Sequence, residues 1–509
     1  MILNRENIFV FVFALVYFIF SFTGILHHEL WLDEAHHWLL ARDSNNTSDL
    51  FNKIRYEGHP VLWNLILFVI TRFTRDPTAM QIIHILISTC AIAIVLKHAP
   101  FKKNFKILFI FGYFMLFEYN LISRNYMLGI LLLFTACILL KNRSNNFIVL
   151  SAVLALAANA HLITGVIAAA LFIMLCVENF QNNTLFTQRK FNIGYMIFVI
   201  GILAMMAQVI PPNDTLFFEP IDEIPFTFKL TKGLSTLMKG LFPIPDFSSI
   251  HFWNTNMIVS LSKPLAVVFA LLSYFIPLLL FYKKKYVLCF VYVAIVGLQL
   301  FFFVTQRGAA RFDGMSYIVI FIGLWIERYF ADDHKPIAPV NSFNLGKLKA
   351  ITVYTILLIH FASGVYAYTM DFIHPFNASK LTVDYLEKNQ SGKPVVTFFC
   401  DGTAISAYSN KKIYFLCSQR EQSYCDWNSG CNINFSETLL GERLADYFKD
   451  RTKKKLSRCI YITNKKLKKP ATDKWTMVTN SISMRFVKAF DSTIVANGGC
   501  FIYEVSVQD

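Results

Sequence analysis

A chain of 509 residues with only 16% charged residues falls well short of the roughly 25% expected of a soluble protein. With 55% hydrophobic residues, 51 phenylalanines and a mean hydropathy of +0.46, its main solvent is lipid. The net charge of +15 is not a nucleic-acid footprint, because Lys and Arg cluster briefly between apolar runs, as in loops facing anionic headgroups.

The first apolar run, 7–26, is long for the core of a signal peptide and lacks a small-x-small exit. It reads as a retained first span with the N-terminus in the cytoplasm. WLDEAHHW (31–38) follows directly. As a helix it puts Asp33 and His37 on one face at i, i+4, and Glu34 with Trp38 on the next. Three readings compete for it. It is the polar rim of a juxtamembrane helix, a zinc site, or a carboxylate base at the lipid–water boundary, where ionisable groups are costly and mark function. Zinc is disfavoured because HxxxH and HExxH spacings are absent. In RYEGHPVLW (55–63), Pro60 can open the next helix, which sets Glu57 and His59 at its entrance. Two charged clusters thus bracket one loop, 27–60.

Further candidate spans are 61–74, 79–96, 106–120, 124–140, 147–160, 162–177, 191–210, 264–282, 286–305, 312–330 and 349–369. Basic connectors at 97–106, 141–143, 189–190, 283–285 and 335–349 read as cytoplasmic. That leaves 211–262, 305–311 and the tail outside. With 27–60 also outside, the parity requires one candidate not to cross. Either the short 61–74 helix or a joined 147–177 pair repairs the count.

Inside this body, SRNYMLG (123–129) is a polar break whose Arg124 must be paired or face a cavity. A guanidinium suits a phosphate, to which it donates two parallel hydrogen bonds. The alternative is an arginine bonding local carbonyls or snorkelling to the interface. His161, in the break AANAHLIT, reads as structural. In the 211–262 loop, residues 227–242 space their apolar side chains helically, with Lys229, Lys232 and Lys239 between them, as in a helix lying in the interface plane. TQRGAARFDG (305–314) sets Arg307 and Arg311 around a small-residue turn on the outer face. Arginines there run against the positive-inside trend and ask for an anionic ligand.

From residue 371 the composition becomes that of a soluble domain. Strands are predicted at 392–400, 412–417, 457–464, 474–480 and 499–507, with a helix at 380–389. Cys400, Cys417, Cys425, Cys431, Cys459 and Cys500 all fall here, which suggests disulfides in an oxidising compartment. Free thiols are the other reading. No nucleotide-binding loop or internal repeat is evident.

The ordered motifs Asp33–Glu34, His59–Pro60 and Ser123–Arg124 resemble the GT-C superfamily of membrane glycosyltransferases. The likeness is to the branch of protein O-mannosyltransferases and bacterial aminoarabinose transferases. It covers roughly residues 7–178, and the Arg307/Arg311 turn is similar to RxxG-type turns of bacterial members. Many members have HPP where this chain has His59-Pro60-Val61. The resemblance implies a mainly α polytopic fold, a bundle of about 11–13 transmembrane helices over 1–370, with a small extracytoplasmic α/β domain over 371–509. It implies an inverting transfer of a sugar from a polyprenyl-phosphate donor to a glycolipid, polysaccharide or protein acceptor.

Carried over, Asp33 and Glu34 are catalytic, Asp33 as general base, its pKa raised toward neutrality by Trp31 and Trp38. His59, Arg124, Arg307 and Arg311 would hold the donor phosphate, and Glu57, Tyr126, His37 and Trp63 the substrates. The branch mostly works without a cofactor, although a divalent cation is compatible with it. The implied location is a bacterial inner membrane, with active site and tail in the periplasm; the endoplasmic reticulum is the other candidate. A polytopic transporter or flippase is the alternative function, but it would place paired ionisable groups near mid-membrane within internal repeats. A non-enzymatic scaffold leaves Asp33, Glu57 and Arg124 without a role.

Overall fold

In lipid an apolar run has only its own backbone to satisfy its N–H and C=O groups, so it closes as a helix. The computed structural model describes residues 4–215, 225–305, 308–332, 345–427, 435–451, 457–468, 470 and 472–507. Arg307 and Cys431 therefore lie outside the described residues. The chain begins α1 (Arg5–His27), α2 (Leu32–Arg42), α3 (Thr47–Ile54), α4 (Leu62–Ile70), α5 (Thr78–His98) and α6 (Lys103–Ile110). A π-helical turn (Tyr113–Glu118) leads to α7 (Tyr126–Leu140), α8 (Phe147–Ala160), α9 (Leu162–Gln181) and α10 (Arg189–Val209). Then come α11 (Phe226–Leu241), α12 (Met257–Leu261), α13 (Lys263–Ser273), α14 (Phe275–Phe281), α15 (Lys285–Thr305), α16 (Ala310–Ile326) and α17 (Leu345–Ile373).

Seven of these segments are long and apolar enough to cross a membrane: α1, α5, α9, α10, the α13–α14 pair, α15 and α17. Phe11, Ile200, Leu203 and Phe275 stay exposed on them, as lipid-facing side chains do. The nine residues of α4 make about 14 Å of helix, too short for a hydrocarbon core of about 30 Å. The 147–177 stretch is not one helix. His161 is extended, and its Nδ1 accepts the Ile163 N–H at 3.0 Å, capping α9. The expected 106–120 span is likewise broken, because Gly112 takes an extended conformation between α6 and the π-helical turn.

The interfacial helix expected at 227–242 is only half so. Phe226, Phe228 and Leu230 of α11 are exposed, but Leu237, Met238 and Leu241 are buried where it packs on α13, α15 and α16. Gly240 permits this: a Cβ there would collide with the Asp313 carbonyl.

After α17 come α18 (Ser379–Asn389), β1 (Val395–Thr397), α19 (Thr403–Ser409), β2 (Ile413–Phe415), β3 (Arg420–Gln422) and α20 (Glu437–Arg451). β4 (Arg458–Thr463), β5 (Thr476–Met477), β6 (Ile482–Phe490) and β7 (Cys500–Val507) complete the chain. The sheet order is β3-β2-β1-β4-β7-β6-β5. β1 runs parallel to both β2 and β4, and the other pairings are antiparallel. The chain leaves β1 toward β2 and returns through α20 to its other side, so the order reverses between β1 and β4. Sequence patterning misses β6, since its second half turns Arg485 and Lys488 outward and blurs the alternation. Cys400 is joined to Cys425 and Cys417 is also disulfide-bonded. Cys459 and Cys500 are instead buried thiols of β4 and β7, so the oxidised set is smaller than the cysteine count suggests.

The sheet domain sits against α2. The Leu30 N–H donates to the Tyr408 hydroxyl at 2.7 Å, Arg42 Nη1 donates to Asn410 Oδ1 at 3.1 Å, and the Ser423 hydroxyl donates to Asp43. α2 is thereby clamped between the helix bundle and this domain.

Candidate functional site

The site is built around the first turn of α2. Glu34 starts that helix by accepting the Trp31 N–H at 2.9 Å on Oε2, which satisfies a donor the helix end leaves open. Its Oε1 accepts the Ser123 N–H at 2.6 Å. Glu34 is fully buried, and its carboxylate thus ties α2 to the break before α7. His28 reinforces the joint, with Nε2 3.3 Å from Glu34 and Nδ1 2.8 Å from Asp371 at the end of α17. Burial disfavours charge on His28, but Asp371 and Glu34 outweigh it and raise its pKa to about 10.

With Ser123 fixed, the next residue, Arg124, ion-pairs with Asp33. Its Nη2 lies 3.3 Å from His59 Nε2, and its guanidinium stands 5.7 Å from the Tyr126 ring. From the opposite side Arg311, in the first turn of α16, brings Nη2 to 3.5 Å from Asp33 Oδ2. Its guanidinium rests on the rings of Trp31 (4.9 Å), Phe312 (4.9 Å) and Trp253 (5.7 Å), a cation–π cage that aims it.

Asp33 and His37 share one face, as their spacing predicts, and line a cavity of about 430 Å³. The other walls are His36 and Glu57, His59 and Arg124, Lys232 of α11, Arg311 with Phe312, and Cys425 with Trp427 of the sheet domain. Glu57 Oε1 lies 2.8 Å from His36 Nε2, so its partner is His36 rather than Asp33. The His37 ring stacks on His59 with centroids 5.6 Å apart. Burial and then the Arg124 charge push the His37 pKa well down, which keeps the imidazole neutral.

Asp33 departs from expectation. Burial does raise a carboxyl pKa, but Arg124 and Arg311 outweigh it and hold Asp33 well below the usual carboxylate range. The anticipated desolvation by Trp31 and Trp38 does not decide it. Trp38 is buried away from the cavity, and Trp31 turns its ring to Arg311. The Asp33 side chain keeps 31% exposure, which makes it the carboxylate that a bound molecule can reach.

Three predicted site residues stand behind this surface. Glu34 is engaged as described; Trp63 is buried edge-to-face with His84 at 5.9 Å; Tyr126 is buried against His161 at 4.3 Å. Arg307 lies outside the described residues. Trp253, Phe312, Cys425 and Trp427 escape sequence reasoning, since each comes from an element whose packing partner no local period announces. Lys232 carried a signal, an amphipathic helix with regularly spaced lysines. Among the described residues no three His, Cys, Asp or Glu side chains are grouped to hold a metal ion.

The cavity therefore offers Asp33 as an accessible carboxylate amid two guanidiniums, a lysine and three imidazoles. It is suited to an anion with charge-assisted donors on several sides. No family model and no curated protein matches the chain.

Proposed function

We propose that the chain is a membrane glycosyltransferase of the GT-C type, which moves a sugar from a polyprenyl-phosphate donor to an acceptor hydroxyl with inversion at C1. The observation that carries this reading is the meeting of Asp33 with Arg124 and Arg311 on one cavity wall, at the end of an apolar helix bundle. In this reading that end faces the periplasm of a bacterial inner membrane, and the donor's lipid tail stays among the exposed apolar helix faces.

The donor phosphate competes with Asp33 for the two guanidiniums. As Arg124 and Arg311 turn to the phosphate, the force that depresses the Asp33 pKa weakens, and the carboxylate regains the basicity it needs. Asp33 then takes the acceptor's proton, the acceptor oxygen bonds to C1, and the C1–O bond to phosphate breaks. The electron pair leaves on the polyprenyl phosphate, whose charge Arg124, Arg311, His59 and Lys232 stabilise. Phosphate binding thereby arms the base, so donor and catalyst are coupled by charge.

The test incubates the purified full chain with sugar-charged polyprenyl phosphates and candidate acceptors, following transferred label. Asp33→Asn should lose roughly 10²- to 10⁴-fold in rate while folding normally. Wild-type rates in a folded Asp33→Asn protein would remove Asp33 as the base. Passage of lipid-linked sugar across a vesicle membrane without transfer would favour the transporter instead.

A further inference from the structure

A second cavity, of about 450 Å³, adjoins the first and lies inside the range of about 300–1,000 Å³ usual for small-ligand sites. Leu32 lines both. The Cys400–Cys425 disulfide also straddles them, with Cys400 in the second wall and Cys425 in the first. The second cavity opens at the carboxyl ends of β1 and β4, where Asp401, Thr463 and Asn464 line it. That is the point at which the strand order reverses, and crevices there are where α/β sheets bind ligands. The helical body supplies the facing wall through Trp31 and Trp253, edge-to-face with centroids 4.8 Å apart.

The chemistry of the two cavities differs in kind. Among the described residues no Lys, Arg or His lines the second, whereas the first holds two arginines and a lysine. Its polar groups are amides, hydroxyls and one carboxylate, which both donate to and accept from hydroxyl groups. Its indoles offer apolar surface with a negative face toward polarised C–H groups. A phosphate or other anion finds no cation in this lining. An uncharged, hydroxyl-rich ring finds partners on its edge and on its face.

Resting on the glycosyltransferase reading, we propose that this second cavity seats the acceptor, and that the end it holds is an uncharged carbohydrate whose reacting hydroxyl passes Leu32 to reach Asp33. Asn254 links the two chambers: it lines the second, and its Oδ1 accepts the Ala310 N–H at 2.9 Å, one residue before Arg311. The amide that meets the acceptor is thus fixed to the helix that aims a guanidinium at the base. Donor and acceptor are sorted by charge, anion on one side of Leu32 and neutral sugar on the other.

The experiment offers the full chain, in detergent, an array of neutral bacterial oligosaccharides and, in parallel, Ser/Thr-rich peptides. Thermal unfolding first confirms that each variant is folded. At least one oligosaccharide should bind, and at least tenfold more weakly to Asp401→Asn and Asn497→Phe. Asn497 is exposed on its loop, so its variant keeps the test open should Asp401→Asn not fold. Absence of neutral-glycan binding, equal binding by both cavity variants, or peptide binding in their place overturns the proposal. Transfer with an unchanged acceptor KM in both variants overturns the acceptor site alone. Cavity-dependent binding without transfer from any sugar-charged polyprenyl phosphate overturns the transferase reading and keeps the carbohydrate site.

Discussion

At the residue scale, the site turns on how two neighbouring acids are used. Asp33 faces the cavity and competes for arginines, while Glu34 is spent on backbone N–H groups of Trp31 and Ser123. Sequence spacing separates their faces, yet it cannot show that one holds an interhelical joint. His28 is the pH-sensitive part of that joint. Its pKa rises from 6.5 to about 10 on folding, so the stability it contributes is complete below about pH 6.5. As the pH climbs toward 10 the unfolded chain sheds the proton first, the folded chain must hold it, and that contribution is lost. Thermal unfolding in detergent should therefore show wild type well above His28→Gln at pH 6.5, with the gap closing as pH 10 approaches. A gap independent of pH would show that His28 acts through packing alone.

At the scale of elements, the sequence reading succeeds where a helix is long and apolar or where a short motif sets its own geometry. α1, α5, α10 and α15 lie within a few residues of the predicted spans. Asp33 and His37 share a face because the period of α2 dictates it. It fails where one element's position depends on another's. Nothing local to Arg311 reveals that Trp31 and Trp253 will hold it against Asp33, and so the Asp33 pKa was expected to move the wrong way. α11 is the same lesson at larger scale: amphipathic by pattern, it is drawn against α16 by the bare surface of Gly240. Gly240→Ala should push α11 from the Asp313 backbone and cost about 1–3 kcal/mol, as overpacking does. It should also withdraw Lys232 from the cavity, so under the proposed transferase activity a melting-temperature loss accompanied by a raised donor KM is expected; a fall in stability with KM unchanged would uncouple α11 from the site.

At the scale of the whole molecule, the division into an apolar helical body and a small sheet domain is plain in the composition change near residue 371. Their joint surface is not, because Cys425 and Trp427 line one cavity with Asp33 without any periodic relation to it. The disulfide that stands in both cavity walls closes 25 residues of chain, worth roughly 3 kcal/mol in loop entropy. Cys400→Ser/Cys425→Ser should lower the melting temperature, and reductant should lower it by more in wild type than in the double variant, which keeps the Cys417 disulfide. An unchanged wild-type melting temperature under reductant would mean the bond is inaccessible or energetically silent. The clamping of α2 also has a consequence in time. The helix that bears Asp33 leaves the ribosome early, but Tyr408, Asn410 and Ser423, which grip it, follow some 370–390 residues later. At about 5–20 residues per second that is a wait on the order of 20–80 s, during which a segment rich in acids and imidazoles stands at the end of the first apolar helix without its cover. The cavity around Asp33 is thus one of the last parts of the protein to come into being, and a nascent chain halted before residue 400 carries Asp33 but lacks the Cys425 and Trp427 wall that encloses it.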